Sequence, residues 1–246
     1  MGTHMSLDSI KKMNRVQIKY IAIATMLLDH IAAFFLIPEK HPELIALYVI
    51  MRTIGRIAGP VMLYFLSEGY SHTSSKLKYG LRLFCFGIIS QIPYSLARYE
   101  KVSTESLNVI ITLFMSFLML AATDRIKNQI LKGLVLFIFI LLTTFSDWGI
   151  IGPLIVWLFY ISRDNRKSQI KAYMVIVGIY LASTIAFIIQ DSQRWYEGIC
   201  QIGLVLVIPL LGTYNGASGK KTVVNKWIFY IFYPFHLLVF WLITRV

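Results

Sequence analysis

The chain has 246 residues, of which 57% are hydrophobic and only 15% charged, and its mean hydropathy is +0.66. A soluble domain of this length carries roughly 45–50% apolar and about 25% charged residues, so a water-soluble fold is excluded. The formal charge of +12 resides mainly in loops between apolar runs, where membrane insertion requires it, which argues against nucleic acid as a partner.

In chain order, Met1 to His4 read as a cloning scar ahead of Met5, and residues 5–246 as one membrane-embedded domain with no cleavable signal peptide before its first span. The apolar runs are long and do not alternate, which fits helices and disfavours a β-barrel. Candidate spans fall at 16–37, 44–70, 79–97, 107–123, 131–145, 149–162, 172–190, 196–212 and 227–244. The expected fold is therefore all-α, a polytopic integral membrane protein of about nine transmembrane helices, within a range of about eight to ten. The fifth and sixth runs are short and separated only by Phe145 to Trp148, so they read either as a tight hairpin of true spans or as a re-entrant pair.

Loop charge orients the chain. With the N-terminus cytoplasmic, the inner segments hold 17 basic residues, from Lys11, Lys12, Arg15 and Lys19 through to Lys220, Lys221 and Lys226. The outer segments hold 5, namely Lys40, Arg98, Lys101, Arg194 and Arg245. This asymmetry predicts a cytoplasmic N-terminus and an outside C-terminus.

Ionisable residues at membrane depth cost on the order of 2.5–3.5 kcal/mol on insertion scales and are functional candidates by default. The first span holds Asp29 and His30, the second Arg52, Arg56 and Glu68, and the last His236; Gln91, Asn108 and Thr112 are polar and uncharged. Lys19 and His30 are 11 positions apart, which returns a helix to nearly the same face after three turns, with His30 about 16 Å deeper. Asp29 points to another face, from which it can anchor a neighbouring helix or pair with Arg52 or Arg56. Those two arginines share a face at i and i+4. Gly55 and Gly59 form a GxxxG pattern beside them that permits close helix approach, and Pro60 permits a kink. A structural alternative stands beside the functional one: a lone intramembrane His can simply bond across helices, and the arginines can be counter-ions of Asp29 and Glu68. What lifts the functional reading is the expectation that His30, Arg52 and Arg56 lie at one depth. Cys85 and Cys200 have no metal-like spacing and read as buried thiols. No phosphate-binding loop, metal helix or nucleophile elbow is present, and no metal is expected.

Six stretches carry a family resemblance: KYIAIATMLLDH from Lys19 to His30, MRTIGRIAGPVMLYFLSEGYSHT from Met51 to Thr73, YGLRLFCFGIISQIPY from Tyr79 to Tyr94, LNVIITL from Leu107 to Leu113, DWGIIG from Asp147 to Gly152, and YIFYPFHLL from Tyr230 to Leu238. In order and spacing the chain resembles the TraX family of F-type pilin N-terminal acetylation proteins. That family resembles in turn the wider group of membrane-bound acyltransferases. Members of that group place a basic residue 11 positions before an intramembrane His, as Lys19 and His30 do here. Many have Arg at the first position, and Lys keeps the charge but loses bidentate phosphate recognition.

The resemblance implies transfer of an acetyl group from cytoplasmic acetyl-CoA to an acceptor at or beyond the membrane, in a bacterial cytoplasmic (inner) membrane. The acceptor it suggests is the amino terminus of a pilin or other exported peptide, with a small amine or glycan as alternatives. His30 and Asp29 are then the catalytic candidates, His30 acting as base or acyl carrier. Lys19, Arg52 and Arg56 are the expected acetyl-CoA contacts, with an oxyanion-stabilising role open to the arginines. Glu68, Gln91, Asn108, Asp147 and His236 are candidates for substrate contact or support. A transporter or channel using the intramembrane charges, or a non-enzymatic assembly factor, are the competing classes.

Overall fold

A computed structural model describes residues 12–245; the cloning-scar reading of residues 1–4 lies outside them. Every expected apolar run is helical, and no β-strand forms among the described residues. The helices are α1 (Arg15–Phe35), α2 (Ile45–Gly55), α3 (Ala58–His72), α4 (Lys76–Tyr99), α5 (Val109–Thr123), α6 (Gln129–Thr143), α7 (Ile151–Ile161), α8 (Arg166–Gln190), α9 (Trp195–Cys200), α10 (Val207–Gly212) and α11 (Val223–Ile243).

Local chemistry sets the helix starts. Asn14, Ser75, Asn108 and Asn128 each accept backbone N–H groups that the first turn of a helix leaves unbonded. At α1 the cap is reciprocal: the Gln17 N–H reaches the Asn14 side chain at 3.0 Å, and the Asn14 N–H reaches the Gln17 side chain at 2.9 Å. Prolines set the breaks. Pro60 has no N–H to give Arg56 and its ring collides with that carbonyl, so the second run divides into α2 and α3 at Arg56 and Ile57. Pro209 acts the same way on Val205, and the eighth run divides into α9, a 3-10 stretch at Gln201–Leu206, and α10.

Five helical segments are long and apolar enough to cross a membrane: Arg15–Phe35, Pro42–His72, Arg166–Gln190, Ser192–Gly212 and Val223–Ile243. α5, of 15 residues, and α7, of 11, are shorter than the expected spans, and α6, also of 15, is as short as its expected run. At 1.5 Å per residue they reach about 22 Å and about 16 Å, against about 30 Å of hydrocarbon. Polar loops cut them short: residues 103–108 and 143–149 spend their hydrogen bonds on one another rather than on continuing the helices. Leu107 N–H donates to Phe145 O at 2.9 Å, and Asp147 N–H donates to Leu107 O at 2.8 Å. α6 exposes Leu134, Phe137, Ile138, Leu141 and Leu142, an apolar surface suited to lipid.

The described chain groups into two compact units, residues 12–62 with 177–229, and residues 63–176 with 230–245. In the first, α1 packs on α2, and Ala32, Tyr48, Tyr196 and Cys200 form a core with Leu36, Ile45, Val49 and Met51 against it. The main chain around Met13 is tied to the 213–217 loop, with Met13 N–H on Thr213 O at 3.0 Å and Arg15 N–H on Ala217 O at 2.8 Å. In the second unit α5 is central and packs on α4, α6 and α7. The expectation that both cysteines are buried holds for Cys200 only. Cys85 is exposed, on the α4 face that also presents Leu81, Phe84 and Ile88.

Candidate functional site

The charged residues of α1 and α2 meet on one carboxylate. Arg52 Nη1 donates to Asp29 Oδ2 at 2.6 Å, and Arg56 Nη2 donates to Asp29 Oδ1 at 2.6 Å. The i, i+4 spacing of the arginines turns both guanidiniums toward α1, one to each oxygen. Gly55, between them, lets the helices come close enough: a Cβ there would lie 2.3 Å from Asp29 Cβ. Gly203 does the same on another side of α2, where a Cβ would fall 1.8 Å from the Thr53 carbonyl oxygen. One carboxylate with two guanidiniums leaves the cluster one positive charge in excess. Arg52 Nε is buried without a hydrogen-bond partner. A buried donor left unmade costs about 1–3 kcal/mol, so this nitrogen marks a place where an acceptor oxygen would be stabilised.

A line of aromatic contacts leads away from the cluster. Arg52 lies over the Tyr48 ring at 5.9 Å, Tyr48 packs edge-on against Tyr196 at 5.6 Å, and the Tyr196 hydroxyl donates to Glu39. That bond, chiefly, holds the Glu39 carboxyl below the usual glutamate range. Cys200 Sγ faces the Val49 carbonyl at 3.8 Å and sits within the electrostatic reach of Arg52, Arg56 and Asp29. Sequence reasoning missed Tyr48 and Tyr196. Tyr48 stands one helical turn before Arg52 and could have been read from that spacing, whereas Tyr196 is distant in sequence and left no such signal.

His30 and Lys19 lie on α1 as their spacing requires. His30 is half-buried with Phe34 edge-on at 6.4 Å, and Lys19 Nζ lies 4.6 Å from the centroid of the Phe229 ring. The structure thus collects Asp29, Arg52 and Arg56 into one ion cluster, with His30 next to Asp29 in sequence.

The remaining candidates belong to the second unit. Gln91 and Asn108 bond each other: the Asn108 side-chain amide donates to Gln91 Oε1 at 2.9 Å and to Gly87 O at 2.8 Å. Gln91 Nε2 donates in turn to Ser103 O and Ser106 O, at 3.0 and 2.8 Å. Both side chains thereby fasten the 103–108 loop to α4. His236 is buried and its Nδ1 lies 2.7 Å from Phe232 O; as a donor there, it leaves Nε2 as the basic nitrogen. Glu68 is half-buried on α3, and its carbonyl meets His72 Nδ1 at 2.8 Å. Asp147 occupies the turn before α7, where the Thr112 hydroxyl donates to its carbonyl.

By class, this is an all-helical protein whose apolar helices suit a membrane and whose charged side chains converge within them. The chain belongs to the TraX family: the family described as TraX protein matches residues 14–244. It is also 29% identical to "Probable fimbrial assembly protein FimC, serogroup H1" of Dichelobacter nodosus, over 90% of this chain and 91% of that protein. No solved structure matches the chain.

Proposed function

We propose that this protein is a membrane acetyltransferase that moves an acetyl group from cytoplasmic acetyl-CoA to the free amino terminus of a pilin or other exported peptide. It would cross the bacterial inner membrane about nine times, N-terminus inside, as the loop charges require. The observation that carries the reading is the Asp29–Arg52–Arg56 cluster with its unpartnered Arg52 Nε, a fixed donor of the kind that stabilises the oxygen of an attacked thioester carbonyl. Asp29 holds the guanidiniums in place and half neutralises them. Lys19, on the His30 face of α1, suits the phosphates of the donor.

In the direct route the acceptor amine attacks the thioester carbonyl carbon. A C–N bond forms, the C–S bond breaks, His30 takes the amine proton, and CoA leaves as thiolate to be protonated. In the two-step route His30 is acetylated first with release of CoA, and the amine then attacks the acetyl-imidazole. Retention of labelled acetyl on the protein in the absence of acceptor distinguishes the second from the first.

The test is acetyl-CoA consumption by purified protein given a pilin-like peptide. Acceptor-dependent release of CoA by wild-type protein, abolished in a folded His30→Ala variant, supports the reading; full activity in that variant removes His30 from catalysis. The relative's fimbrial-assembly name favours a second reading, a non-enzymatic assembly factor. That reading expects a stable complex with the pilin and no response to acetyl-CoA.

A further inference from the structure

We propose that the α1–α2 loop, residues 36–41, is a lid over the ion cluster, fastened by the hydrogen bond between Tyr196 and Glu39 and opened by breaking it. The inference adds a route of entry to the proposed reaction. It rests on that reading for what enters, the acceptor amine, but not for the opening itself.

The loop is built to move as one piece. Its main chain bonds within itself, with Lys40 N–H and His41 N–H both donating to Ile37 O, at 3.0 and 2.9 Å. This turn leaves Glu39 exposed, while Pro38 is buried and Leu36 packs on the core that holds Tyr196. Tyr196 opens α9 and is only 5% exposed. A phenol so buried needs a partner for its hydroxyl, and it finds a carboxylate on another segment, at the water's edge. The nearby Arg194 is taken up by Glu197, with Arg194 Nε on Glu197 Oε1 at 3.1 Å. An exposed bond of this kind is exchanged for bonds to water at a small net difference, so the fastened and released states are both within thermal reach.

Release reaches the cluster through side chains in contact. Tyr196 packs edge-on against Tyr48 at 5.6 Å, and Arg52 lies over the Tyr48 ring at 5.9 Å. When the Tyr196 hydroxyl turns to water its ring swings out, Tyr48 loses its edge-on cover, and the Tyr48 side of Arg52 opens to solvent. Ala32 and Cys200 share the same core, so this movement also uncovers Cys200, which is 2% exposed while the bond is made. The chain thus carries its own reporter of the lid.

The probe is a small cationic methanethiosulfonate reagent, and the reading is its rate of reaction with Cys200 in the full chain in detergent, in a Cys85→Ser background. Tyr196→Phe keeps the ring and removes the hydroxyl, and Glu39→Ala removes the partner from the loop side. Each is expected to raise the rate about tenfold, since a bond to a charged acceptor sets the open population. Glu39→Gln keeps an acceptor oxygen and should raise it less. Should Tyr196→Phe fail to fold, Glu39→Ala, at an exposed position, carries the test. General loosening is separated by a second reporter, Val207→Cys with Cys85→Ser and Cys200→Ser, at a fully buried position of α10. Its rate should be the same with and without either loop-bond substitution. An unchanged Cys200 rate in the folded variants, or an equal rise at the second reporter, overturns the lid. Acetyl-CoA turnover is read separately. A responsive Cys200 without turnover refutes the acetyltransferase and leaves the lid standing; turnover with an unresponsive Cys200 does the reverse.

Discussion

Asp29 bonds two guanidiniums at once, so replacing it leaves two like charges facing one another in an apolar setting. Breaking a buried ion pair by removing one partner typically costs about 3–5 kcal/mol. Asp29→Asn is therefore expected to lower the melting temperature well below that of the wild type in the same detergent; equal melting would show that the cluster carries little stability. The glycine beneath the cluster makes a finer prediction. Gly55→Ala puts a methyl within 2.3 Å of Asp29 Cβ, so it should impair both stability and any activity without touching a charge. Gly203→Ala meets a backbone oxygen at 1.8 Å, which cannot swing aside, and should be the more damaging of the two in a thermal melt. At this scale much was legible from sequence. The 11-residue spacing fixed the shared face of Lys19 and His30, and the i, i+4 pair declared that Arg52 and Arg56 act together. That Asp29 would take both arginines was one option among several, because register between two helices is not written in either helix alone.

At the scale of the element, caps and loop locks make the arrangement specific. Asn108 caps α5 through its side-chain oxygen and bonds α4 through its amide, with Gln91 completing the pair. Asn108→Ala removes the cap and takes the side-chain amide donor from Gln91 Oε1 and Gly87 O, leaving only the backbone N–H on Gln91, a loss of about 1–3 kcal/mol that denaturant or thermal unfolding would register. A second lock lies at the far end of α5. Asp124 accepts hydrogen bonds from the hydroxyls of Tyr160 and Tyr70 and from Lys76 Nζ, the latter two at 2.9 and 3.1 Å. Burial by itself raises the Asp124 pKa, but bonds from Tyr160, Tyr70 and Lys76 outweigh it and hold the carboxyl below the ordinary aspartate value. A depressed folded-state pKa contributes stability that is full above the unfolded value and is lost as pH falls through the folded one. The melting-temperature gap between wild type and Asp124→Asn should thus be constant near neutrality and close below the usual aspartate range; a gap insensitive to acid would contradict it. The helix breaks were legible in principle, since Pro60 announced the first and Pro209 carried the same signal for the second. The Gln91–Asn108 and Asp124 locks were not, because they join loops and helices far apart in the chain through single hydrogen bonds that no periodicity records.

For the whole molecule, composition together with the long, non-alternating apolar runs led to an all-helical membrane protein, and five helical segments have the length and apolarity to cross a bilayer. The loop charges add the orientation of the proposed function. Cysteines placed singly at Ser74 and at Ser103 should therefore label from opposite sides in sealed inverted vesicles, Ser74 from the cytoplasmic side and Ser103 from the other, in a background where Cys85 and Cys200 are serine. Labelling of both from one side would contradict the assignment. The chemistry is the larger claim, and one measurement bears on it most directly. Wild-type protein in lipid nanodiscs is incubated with acetyl-CoA and a peptide bearing the mature amino terminus of a pilin, and the peptide is then analysed by mass spectrometry. The account predicts gain of one acetyl group on the α-amine with one CoA released per peptide, and neither with a folded His30→Ala variant. An unmodified peptide that nonetheless stays bound to the wild-type protein, with acetyl-CoA untouched, would contradict it and leave an assembly factor in place of an enzyme.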